Sequence, residues 1–223
     1  MRRRINFYER PNPLTTELIE AVISESKEKV EQLINQGVDI NATDVLGMSP
    51  LAHAAGRNLK EIAELLISRG ADVNGGPLVP RWGNPLIRSI KGFSSADISL
   101  RLIENGADVN VMNYENEEAT ALILSIDRNS DYRVVEALVN KGADINAVDK
   151  YGKSVLEYAI EHKRLDVISM LLEHGVDINA IDRSGNTALT YAEIRGSKEI
   201  VDLLIKHGAK WQNIIEKYLE SNN

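Results

Sequence analysis

The chain has 223 residues, 43% hydrophobic and 26% charged, which suits a soluble globular protein with a sizeable buried core. A net charge of −7, with Arg2, Arg3 and Arg4 as its only basic run, argues against nucleic acid, whose phosphates demand a concentrated basic face. The absence of cysteine excludes disulfides and thiolate metal sites, and no apolar run approaches membrane-spanning length. The polar INFYERPNPL after the arginines lacks a signal-peptide core, so the expected location is cytoplasmic.

In chain order, residues 1–13 read as a tail. Residues 14–42 read as two amphipathic helices, LTTELIEAVIS and KEKVEQLINQ, forming an N-terminal capping repeat. Five further segments, 43–74, 75–110, 111–146, 147–179 and 180–210, are repeats of one another, and 211–223 reads as a capping helix with Ile214, Ile215, Tyr218 and Leu219 on one stripe.

The repetition is carried by Gly-(Ala/Val)-Asp-(Val/Ile)-Asn at Gly37, Gly70, Gly106, Gly142 and Gly175, with a fragment at Gly208. The spacings are 33, 36, 36, 33 and 33 residues, and a leucine stands four positions before every glycine: Leu33, Leu66, Leu102, Leu138, Leu171 and Leu204. Each leucine lies near the end of a segment with helical apolar spacing, and the glycine can adopt the left-handed conformation that closes a helix. Asp44-Gly47-Ser49, Asp149-Gly152-Ser154 and Asp182-Gly185-Thr187 then supply a tight turn and an N-cap for the next helix. Pro50 and Pro85 fall where a first helical turn accepts proline.

SPLAHAAGRNLKEIAELLISRGADVN resembles an ankyrin repeat, and the resemblance covers about residues 14 to 210. It implies an all-α fold: an ankyrin-repeat solenoid of stacked helix-turn-helix pairs with β-hairpin-like fingers along one edge. The family's Thr-Pro-Leu-His tetrad is incomplete in every repeat. Its histidine position holds Ala52, Ile87, Ile123, Glu157 and Thr190, with His53 one residue off, so the buried hydrogen-bond ladder of the family is expected to be weaker.

A search for catalytic chemistry finds no His-Glu-x-x-His, no Gly-x-Ser-x-Gly and no nucleophilic cysteine. Gly70, Gly75 and Gly76 precede Pro77-Leu78 rather than the Lys-Ser/Thr of a phosphate loop. His174 and His207 directly precede repeat glycines, where a helix's last turn favours them. No cofactor and no metal are expected, and the chain is read as not an enzyme.

What the resemblance implies instead is a concave face of fingers and inner helices that binds another protein, the chain itself being a monomer. The finger residues mapped there are Val45, Leu46 and Met48; Arg81 and Trp82; Tyr114, Glu115, Glu117 and Glu118; Lys150, Tyr151 and Lys153; and Arg183, Ser184 and Asn186. On the inner helices they are Arg57, Lys91, Asp127, Arg128, Glu161, His162 and Arg195. Exposed Trp, Tyr and Arg suit binding hot spots, although the aromatics also suit bracing between fingers. The fingers of 75–110 and 111–146 are each two residues longer than the others, which points to mid-array as the binding region. An interaction scaffold is the leading reading, an inhibitor or immunity-type protein that blocks an enzyme the next, and an enzyme the last.

Overall fold

A computed structural model gives the structure of the chain and describes residues 13–75, 83–92, 96–113 and 118–211. The chain divides into two compact units, residues 1–115 and 116–223, the division falling in the lengthened finger of the repeat at 111–146. Unit 1 contains α1 (Pro13–Ile23), α2 (Lys27–Asn35), α3 (Pro50–Gly56), α4 (Lys60–Ser68), α5 (Pro85–Lys91), α6 (Ala96–Glu104) and β1 (Met112–Asn113). Unit 2 contains β2 (Ala119–Thr120), α7 (Ala121–Asp127), α8 (Tyr132–Asn140), α9 (Val155–Glu161), α10 (Leu165–Glu173), α11 (Ala188–Ile194) and α12 (Lys198–Lys206). The described residues are thus helical apart from short strands and turns, an all-α arrangement of helix pairs.

Inner helices α3, α5, α7, α9 and α11 have seven residues each, too short to persist alone in water. Each is held at its start by a side-chain cap: Ser49, Asn84, Thr120, Ser154 and Thr187 accept from the backbone N–H three residues on. Pro50 and Pro85 occupy the first turn as expected. Within unit 1, α1, α3 and α5 pack side by side, as do α2, α4 and α6; within unit 2, α7, α9 and α11 form one layer, with α8 packed on α10 in the other. At the end of α3 and α5 the approach is backbone on backbone: a Cβ on Gly92 would lie 2.8 Å from the Gly56 carbonyl oxygen.

The leucine four residues before each glycine has two roles. Its side chain is buried, from Leu33 to Leu204, and its carbonyl receives the closing bond of the outer helix. Ala71 N–H donates to Leu66 O (3.0 Å) and Gly70 N–H to Ile67 O (3.0 Å), with Gly70 at φ +87°, a glycine-terminated helix end. The same bond runs from Val38 to Leu33, Ala107 to Leu102, Ala143 to Leu138, Val176 to Leu171 and Ala209 to Leu204. The repeat spacing is therefore the signature of a helix end that also builds the core.

Repeats are joined by the asparagine of Asp-(Val/Ile)-Asn. Asn41 Oδ1 accepts from Asp72 N–H (2.8 Å) and Asn74 Oδ1 from Asp108 N–H (2.8 Å) in unit 1. In unit 2, Asn146 accepts from Asp177 N–H (2.8 Å) and Asn179 from Lys210 N–H (3.0 Å). Each bond satisfies a backbone donor one repeat further on, at a loop that has no sheet neighbour to do so.

Candidate functional site

The three regular fingers are built around one aspartate each. Asp44 Oδ1 accepts from Leu46 N–H (2.8 Å) and Met48 N–H (2.9 Å), while Asp44 N–H donates to Met48 O (3.0 Å). Asp149 does the same for Tyr151 and Lys153, and Asp182 for Ser184 and Asn186. Gly47, Gly152 and Gly185 turn the tip at positive φ. The second carboxylate oxygen points at the inner helix, 2.8 Å from His53 Nε2, Tyr158 Oη and Tyr191 Oη in the three fingers.

In these three repeats finger and helix are tied in another way than by the tetrad's ladder. The residue one place after the tetrad's histidine position ties finger to helix. The position itself caps the helix in two repeats, through Ser154 with Glu157 and Thr187 with Thr190. Because the turn is held from inside, the tip side chains are left to solvent: Val45 is 82% exposed, Leu46 58% and Tyr151 59%. Arg183 and Ser184 are exposed too, and Val148 and Ile181 stand half-exposed on the fingers of unit 2.

Met48 does not belong to this exposed set; it is buried, because its backbone closes the Asp44 turn from the helix side. Arg57, Arg128, His162 and Arg195 are exposed and occupy the C-cap positions of α3, α7, α9 and α11, where a cation faces the helix's carbonyl end. Lys91 is partly buried at the last position of α5. Glu118 is exposed at φ +53°, and Lys150 lies 5.0 Å from the Tyr151 ring centre. Arg81, Trp82, Tyr114, Glu115 and Glu117 lie outside the described residues, as does the stripe of 211–223 beyond Trp211. The base of the longer finger is described: a Cβ on Gly75 would lie 2.8 Å from Gly83 O, so only glycine lets the two strands of chain meet there.

Lys153 is turned inward rather than outward. Its Nζ sits 3.7 Å from the Tyr158 ring centre and 6.0 Å from that of Tyr191, and pairs with Glu161, which also pairs with Arg195. Burial lowers the Lys153 pKa against the pull of Asp149. Below it, Glu157 is 1% exposed; Oε2 accepts from Ser154 N–H at 2.6 Å and Oε1 has no partner. Burial pushes the Glu157 pKa up to about 7, against the hydrogen bonds from Ser154. Burial first, and the Asp182 bond second, push Tyr191 up to about 12. His162 Nε2 lies 3.4 Å from Asp127, a further pair between neighbouring inner helices. The network joins Asp149, Tyr158, Lys153, Glu161 and Arg195 across two repeats. Among the described residues no group of three or more His, Asp or Glu is placed to hold a metal.

The model for ankyrin repeats (3 copies) matches residues 18–113 and 86–182, and the single ankyrin repeat model matches 184–217. The chain is an ankyrin repeat protein. Among solved structures it is similar to the ankyrin repeat domain of Bcl-3, a member of the IkappaB protein family. That match has 29% identity, covers 87% of this chain and 86% of that one, and has a TM-score of 0.72. The human ASB11 ankyrin repeat domain matches at 25% identity, with coverage of 88% and 85% and a TM-score of 0.70. A chain of the complex between the predatory endopeptidase Bd0816 of Bdellovibrio bacteriovorus and the immunity protein Bd3460 matches at 24% identity. Coverage there is 85% of this chain and 97% of that one, with a TM-score of 0.72, a likeness of fold. Comparison with curated proteins gives no match. Ankyrin repeats are in general protein-interaction modules, and no helix among the described residues of this ankyrin protein is long and apolar enough to cross a membrane.

Proposed function

We propose that this ankyrin repeat protein is a non-catalytic scaffold, a cytoplasmic monomer, that binds one partner protein with its fingertips and inner-helix ends. One observation carries the reading. In the regular fingers the turn-forming bonds are made by the inward aspartate, so apolar and aromatic tips such as Val45, Leu46 and Tyr151 are displayed on a support whose turn bonds do not involve their side chains. Pre-organised exposed side chains of this kind lose little conformational freedom on binding.

The test is affinity capture from native cell extract, comparing wild type with Val45→Asp, Leu46→Asp and Tyr151→Asp combined. A partner held by wild type and lost by the triple variant is the expected result; a partner retained at unchanged affinity refutes the face. Trp82→Ala with Tyr114→Ala extends the test to the longer fingers. A captured enzyme that loses activity in the complex would make the scaffold an inhibitor.

A further inference from the structure

The register that ties finger to helix is the fourth residue after the N-cap. His53, Tyr158 and Tyr191 stand there and each meets the aspartate nine residues earlier. In the repeat at 75–110 the same register holds Arg88, four after the cap Asn84. Its own finger offers nothing to meet: no Asp or Glu stands anywhere between Asp72 and Asp97.

The Arg88 guanidinium lies across the end of α3, over Gly56. A Cβ there would fall 2.9 Å from Nε and 3.1 Å from Nη2. The other repeats carry Lys91, Asp127, Glu161 and Ile194 at the Gly56 register, so glycine clears the space in this repeat alone. Nε is buried without a hydrogen-bond partner, while the residue as a whole remains partly exposed. PLAHAAG of α3 and PLIRSIK of α5 contain no acidic residue; His53 of α3 is taken by Asp44, while Arg57 caps the end of α3 that Arg88 lies across.

We propose that Arg88 is the anchor for an aspartate or glutamate side chain of the bound partner, which supplies from outside the carboxylate that the three regular fingers supply from within. This assignment rests on the proposed interaction face. A guanidinium forks two donors onto a carboxylate, and its charge favours an acidic segment over a neutral one.

The experiment uses full-length protein labelled with 15N-arginine, titrated with acetyl-tetraglutamate amide while the Arg88 Nε–H resonance is followed. That resonance is expected to shift with the glutamate peptide and to stay in place with acetyl-tetraglutamine amide. Peptide affinity is expected to fall at least tenfold in Arg88→Gln and less in Arg88→Lys, which keeps charge but loses the fork. An unmoved Arg88 resonance in wild type overturns the assignment without recourse to any variant, as does equal affinity in Arg88→Gln. Inorganic phosphate that displaces the peptide at lower concentration also overturns it, in favour of a phosphorylated ligand. Val45→Asp with Leu46→Asp should leave the Arg88 response intact, so that failure of the fingertip reading and failure of the carboxylate assignment are read separately.

Discussion

Replacing Glu157 by glutamine isolates the cost of a buried charge in unit 2. The carboxyl titrates at about 7 in the native protein against 4.5 when unperturbed. Because the native state binds this proton more tightly than the unfolded chain, Glu157 costs nothing below the unfolded value. Stability is lost progressively as pH rises from 4.5, and the full penalty is reached above about 7. At 1.36 kcal/mol per pH unit, that penalty is about 3 kcal/mol. Glutamine occupies the same capping position without ionising, and N3 accepts it as readily as glutamate. The informative quantity is the change in the difference between variant and wild type, from which any pH-independent cost of the amide cancels. Urea unfolding followed by far-UV circular dichroism at pH 4.5, 6 and 8 should show Glu157→Gln gaining about 2–3 kcal/mol on wild type across that range. Parallel stability profiles would mean that Lys153, or water reaching Oε1, keeps the carboxylate comfortable as an anion, and the burial argument would fail.

Asn146→Ala removes the acceptor for Asp177 N–H and should cost about 1–2 kcal/mol in the same urea assay, whereas Asn→Asp there should cost less because an acceptor remains. Gly70→Ala meets no atom within 4 Å, so its cost is that of forcing an L-residue to φ +87°, about 1–2 kcal/mol by thermal or urea unfolding. Lys163 stands at φ +53° in the turn after α9, and Lys163→Gly should stabilise by about 1 kcal/mol, read as a higher urea midpoint with unchanged slope.

The sequence pattern announces the outer helices and their ends because one leucine must serve both core and cap, so its spacing from glycine cannot drift. Inner helices are legible through Ser49, Ser154 and Thr187, and less so where Asn84 and Thr120 take over as caps. The pattern does not reveal the left-handed turns between helices, since Glu25, Asn58, Asn129 and Lys163 stand where only Gly196 is a glycine. At the candidate face, spacing locates the fingertips but not the direction of each side chain. Met48 and Lys153 sit one place before the cap Ser49 and Ser154, at the finger's returning strand, where the chain has already turned inward. Arg88 was hidden for another reason: its significance lies in an aspartate that its repeat lacks, and absence of a partner becomes visible only when three other repeats show where the partner belongs.

The inward aspartate makes each regular finger a socket with an interchangeable tip. The two residues between that aspartate and the turn glycine join the turn through their backbone N–H and C=O groups, so the turn itself does not depend on which side chains they carry. A lineage, or a library, that randomised Val45, Leu46, Lys150, Tyr151, Arg183 and Ser184 would explore new partners on an unchanged frame. Selection for folding and selection for binding would then act on different letters of the same repeat.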